Sequence, residues 1–93
     1  MASLANKIVS AVADERFAIS YHARNRCGER GVSEWQVIEG ASSAEIVRVD
    51  EDHEPDPEVI LRVLLADGSE VDCVWAWLDA EQAAILVTVY FDA

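Results

Sequence analysis

Basic residues are scarce in this 93-residue chain: seven lysines and arginines stand against eighteen acids, for a net charge of −11. A surface of that sign repels phosphate backbones and attracts basic proteins, so direct binding of nucleic acid is not expected. Cysteine is nearly absent as well. Cys27 and Cys73 are too few for a disulfide framework and are expected as buried thiols. The four glycines are scattered singly, which excludes a phosphate-cradling glycine loop. No apolar run approaches the roughly 18 residues of a membrane-spanning helix. Met1-Ala2-Ser3-Leu4 does not open a charged segment followed by an apolar one, so the expected compartment is the cytoplasm.

What is present is apolar substance and localised charge. Apolar residues make up 52% of the chain, enough for one core in a single domain of this size. Residues 1–40 hold five bases and five acids, whereas residues 41–93 hold two bases, Arg48 and Arg62, against thirteen acids. The whole charge deficit therefore lies in the second half. Solubility, adaptation to high salt and attraction of a basic partner are all served by such a surface.

Apolar periodicity changes along the chain. Leu4, Ile8 and Val12 recur at helical spacing behind Ser3 and predict a helix over 4–14. A second helix is expected over 21–30 between Ser20 and Gly31. A third, over 33–40, starts on the capping box Ser33-Glu34-Trp35-Gln36, with Val32 and Val37 as a hydrophobic staple. From residue 44 the period becomes two, and strands are expected over 44–50, 58–66, 70–78 and 84–91. Asp67-Gly68-Ser69 is a hairpin signal, and a three-residue turn there sets Leu65 opposite Val71 and Val63 opposite Cys73. The rows Val59/Leu61/Val63/Leu65, Val71/Cys73/Trp75/Trp77 and Ile85/Val87/Val89/Phe91 then share one face, under the helices. The expected fold is α+β, with N-terminal helices packed on one face of a four-stranded antiparallel sheet. The other face would carry Arg62, Asp72, Thr88 and Tyr90 among Ile60, Leu64, Val74 and Leu86, a half-apolar surface suited to a partner or a homodimer.

Two groups of residues carry candidate function. His22, Arg26 and Arg30 are spaced i, i+4, i+8 and line one stripe of the second helix, with Arg24 off it. Stacked cations of this kind call for an anion, either a phosphate or acids of the chain itself, such as the 51–58 loop or Asp72. The second group is the contiguous acids Asp50, Glu51, Asp52, Glu54, Asp56 and Glu58, interrupted by both prolines and so expected as a loop. Trp35, in the first turn of its helix, is a candidate anchor for a protein partner. No metal or cofactor is expected. His22, Cys27, His53 and Cys73 fit no zinc spacing, and the acidic loop lacks the glycine and terminal glutamate of a calcium hand.

His22-Ala23-Arg24-Asn25-Arg26, followed by Glu29-Arg30-Gly31-Val32-Ser33, resembles the signature of a domain-of-unknown-function family, number 4258, and Thr88-Val89-Tyr90 resembles its last strand. That family is distantly similar to the RelE and BrnT toxins, small ribonucleases neutralised by an antitoxin. The resemblance implies a RelE/BrnT-like scaffold and, as catalytic candidates, His22, Arg26 and Arg30 with Tyr90 as helper. The charge departs from that pattern, since RelE-like nucleases are basic. Two functions are therefore expected in order. The first is a non-enzymatic acidic protein that engages a basic, nucleic-acid-binding partner as an inhibitor or nucleic-acid mimic, as small acidic anti-CRISPR proteins do. The alternative is a toxin-type ribonuclease, in which His22 moves protons and Arg26 and Arg30 stabilise phosphate charge.

Overall fold

The computed structural model describes residues 3–91. Helix α1 (Leu4–Ala13) is capped by Ser3, whose hydroxyl accepts from the Asn6 N–H at 3.1 Å, and it buries Ala5, Ile8, Ala11 and Val12. Helix α2 (Tyr21–Arg30) is capped by Ser20 through the Ala23 N–H at 3.0 Å. It ends at Gly31, which is left-handed (φ 67°), with the Val32 N–H donating to the Cys27 carbonyl at 2.9 Å. The end of α1 uses the same turn, with the Arg16 N–H on the Ala11 carbonyl at 2.7 Å, but Glu15 stands in the left-handed position at φ 62°. A side chain there costs about 1 kcal/mol relative to glycine.

Helix α3 (Glu34–Gly40) departs from its predicted start. Ser33 makes no side-chain cap bond. Gln36, the expected reciprocal partner, instead accepts from the Ala66 N–H at 2.9 Å and ties the helix to a hairpin. Val32 and Val37 are both buried, as the staple requires. The helix runs into a 3-10 turn, Ala41–Ser43. At that junction a Cβ on Gly40 would collide with Val63 Cγ1. Gly40→Ala is thus expected to cost about 1–3 kcal/mol by overpacking, read as a lower urea midpoint, and adding Val63→Ala should recover part of it.

The sheet has five strands rather than four, and is mixed rather than antiparallel. Its order is β1-β5-β4-β3-β2, with β1 (Phe17–Ile19), β2 (Glu45–Asp50), β3 (Glu58–Leu64), β4 (Glu70–Leu78) and β5 (Ala83–Tyr90). The unexpected strand β1 lies parallel to β5, and its Phe17 and Ile19 pack on the core. Three residues are too short to show an alternation, so β1 leaves no periodic signal.

Two register details also differ from expectation. In the β3–β4 hairpin Val63 faces Val71 and Leu61 faces Cys73, two residues away from the expected pairing, because the three-residue turn spans 66–68 and not 67–69. The turn closes instead through Leu65 N–H to the Ser69 carbonyl at 2.8 Å. A shift of two keeps side-chain parity, so both apolar rows still face the helices. In β5, Thr88 pairs with Val74 but Leu86 pairs with Trp75, leaving Val87 as the extra residue of a bulge. The inward row of β5 is consequently Ala84, Leu86 and Val89, each fully buried, and not Ile85, Val87, Val89 and Phe91. Ser20 fixes that bulge, donating its N–H to the Leu86 carbonyl at 3.0 Å and its hydroxyl to the Val87 carbonyl at 3.1 Å.

All three helices cover the face that carries Leu61, Cys73 and Trp75. Trp75 is the largest fully buried side chain, with Phe17 edge-on at 6.3 Å. Among the described residues no helix covers the other face. Ile60, Val74, Ala76 and Thr88 lie on it around the pair of Arg62 and Asp72, whose guanidinium donates to both carboxylate oxygens at 2.8 and 3.2 Å, and Val74, Ala76 and Asp72 are themselves buried.

Candidate functional site

The cationic stripe of α2 does not gather into a cleft. His22 and Arg30 are exposed, while Arg26 is partly buried and 3.6 Å from Glu29. Arg24 pairs with Glu34 at 3.1 Å. These arginines therefore draw their acids from the helical half of the chain, and Asp72, one of the expected counter-charges, is held by Arg62. Tyr90 faces Asp72 across β4–β5. Its neighbour Val89 points into the core, so alternation puts Tyr90 on the face away from the helices. The sheet stands between Tyr90 and the α2 stripe.

Six of the thirteen acids of the second half, those of residues 50–58, do converge. Asp50 and Glu58 face each other across β2–β3, which closes the 51–57 loop into a compact projection. His53 pins that loop: its Nδ1 lies 3.0 Å from the Asp56 carbonyl and its Nε2 3.5 Å from Glu58 Oε1. Arg48 Nη2 lies 4.0 Å from Asp50 Oδ2. Together Arg48, Asp50, His53, Glu58 and Ile60 line a recess of about 190 Å³ at the corner of the open sheet face. Glu51, Asp52 and Glu54 stand exposed in the loop, with Asp56 partly buried. The acids were legible as a contiguous run, but the basic pair within the recess and its apolar floor were not, because β2–β3 pairing assembles them. Chemically this is a carboxylate-rich rim that suits ammonium or guanidinium groups of a partner.

Trp35 does not join this group. It is 65% exposed and sits in the helical layer, on a groove between α1 and α3. No three His, Cys, Asp or Glu side chains among the described residues come close enough to hold a metal ion. No helix among them is long and apolar enough to cross a membrane.

Both thiols are buried and unpaired with each other as a disulfide. Burial, with smaller contributions from Cys27 and Asp72, pushes the Cys73 thiol up to about 12, and burial followed by Glu34 raises Cys27. A raised thiol pKa binds its proton more tightly in the folded state, so its contribution is intact below about 9 and is lost as pH climbs toward about 12. Urea midpoints of the native chain should accordingly fall more steeply over that range than those of Cys73→Ala. Equal slopes would contradict the buried thiol.

No curated protein and no solved structure matches this chain. A family model, described as a domain of unknown function (DUF4258), matches residues 19–91, from the end of β1 to just past β5. That span includes the whole α2 motif and the sheet that carries the acids, and the chain belongs to this DUF4258 family.

Proposed function

We propose that this chain is a binding protein, without catalysis of its own, that engages a basic protein through the acidic corner of its sheet. The observation that carries this reading is the gathering of Asp50, Glu51, Asp52, Glu54, Asp56 and Glu58 on one projection, with only Arg48 and His53 among them. A local excess of one sign steers association and discriminates against partners of the same sign. The sheet face beside it adds the partly exposed Ile60, which floors the recess, so a charged rim borders an apolar contact, as in many protein interfaces. On this reading the scaffold is RelE-like but adapted to bind, and the partner is a basic protein that normally holds nucleic acid, for which the carboxylates substitute as a mimic. The ribonuclease alternative, in which His22, Arg26 and Arg30 act on one phosphate, draws less support, because His22 and Arg30 stand exposed, Arg26 pairs with Glu29, and the helper Tyr90 lies on the far side of the sheet.

The test is capture from host lysate, with and without nuclease treatment, at low and moderate salt, comparing the native chain with a variant in which those six acids are amides. Retention of a basic protein by the native chain, lost in the variant and weakened by salt, supports the proposal. Recovery of RNA or ribosomes that disappears on nuclease treatment, or growth arrest on expression abolished by His22→Ala, would contradict it.

A further inference from the structure

The groove between α1 and α3 has no part in the acidic corner, since it opens on the helical layer and shares no residue with the recess. It holds about 250 Å³. Val9 and Ile38 form its walls, Phe17 lies in it, and Trp35 stands on its rim. The other rim residues that matter are Glu15 and Glu39, and no lysine or arginine lines it. An exposed tryptophan beside a partly open apolar cleft is the arrangement that supplies anchor contacts in protein interfaces.

Glu15 is the second observation. Two helices of this chain end in the same left-handed turn, and one of them uses glycine there, as the geometry favours. The other places a glutamate at φ 62°, with its side chain at the groove. A residue that destabilises its own turn, and carries charge to the edge of an apolar cleft, is explained if that charge meets a cation.

We infer that this groove is a second docking site, and that its occupant is an amphipathic basic helix of a partner protein. Charge complementarity selects a basic occupant, because both charged side chains on the groove are acids. The walls select a helix: a cleft flanked by two helices receives apolar side chains spaced i, i+3, i+4 and i+7 along one face. The aliphatic anchors enter between Val9 and Ile38, Trp35 lies over them, and lysines or arginines that flank the apolar face meet Glu15 and Glu39. This site stands whether or not the acidic corner binds.

The probe is a synthetic Lys/Leu peptide of roughly 15 residues with leucines on one helical face, compared with a permuted peptide of identical composition that has no such face. Binding is followed by shifts of the Trp35 indole and the Val9 and Ile38 methyl groups in heteronuclear spectra. The amphipathic peptide is expected to bind at least about tenfold more tightly than the permuted one. That preference should vanish in Trp35→Ala and persist when the six acids of residues 50–58 are amidated, which separates this site from the acidic corner. Glu15→Gly is expected to weaken peptide binding while raising the melting temperature by roughly 4–8 °C, an effect a purely structural role would not produce. Equal binding of the two peptides, a preference that survives Trp35→Ala, or loss of it only in the six-acid variant would each overturn the inference. Self-association of the free chain that Trp35→Ala abolishes would do so too, by assigning the groove to a second copy.

Discussion

Replacing Trp75 with alanine is expected to lower the unfolding free energy by about 3–5 kcal/mol, a large share of the roughly 5–15 kcal/mol that holds a small domain folded. Trp75 is fully buried on the central strand β4, faces Val59 and Leu86 on either side, and receives the edge of Phe17 from β1. Its removal would leave a void bounded by side chains that the backbone pairing holds in place, so little of the lost contact can be recovered by collapse. Urea denaturation measures this, with Trp75→Phe as a milder variant should the alanine form not fold. Trp35→Ala is the counterpart, with an expected change within about 0.5 kcal/mol because that ring is largely in solvent. Equal costs for the two tryptophans would contradict the layer arrangement.

The contrast between these tryptophans shows where the sequence was informative. Trp75 and Trp77 were legible as core from strict alternation with Val71 and Cys73, and both are buried on the helix side. The helices were legible from caps, because Ser3 and Ser20 act on their own neighbours within three residues. What escaped depends on partners distant in the chain. Strand β1 exists because Phe17, Ala18 and Ile19 pair with residues more than sixty positions away. The bulge at Val87 reversed the facing of Ile85 and Leu86, and nothing local to that apolar run marks the extra residue. Gln36 left its capping box for the Ala66 N–H on the far hairpin. The candidate site divides the same way. Its acids are contiguous and were read directly, while the placement of Arg48, His53 and Ile60 around them required the β2–β3 register. Trp35, placed in the first turn of its helix, stands in solvent, but its separation from those acids is a property of the layers.

The second large effect concerns binding. Amidating Asp50, Glu51, Asp52, Glu54, Asp56 and Glu58 removes six of the eighteen acids without changing side-chain volume appreciably. An exposed ion pair contributes about 0.2–1 kcal/mol, so six acting on one partner surface represent a tenfold or greater loss of affinity, at about 1.4 kcal/mol per factor of ten. The fold should tolerate the change, since it relieves repulsion within the projection and leaves the buried core untouched. Arg48, freed from Asp50, would add repulsion toward a basic partner and deepen the loss.

The most direct test is the affinity of the native chain and of this six-acid variant for the captured basic partner, each titrated at low and at moderate ionic strength. The native chain is expected to bind at least about tenfold more tightly at low salt and to lose affinity as salt rises, while the variant binds weakly with a flat salt response. Equal affinities, or parallel salt dependences for the two chains, would contradict the claim that the acidic corner of the sheet is where this protein meets its partner.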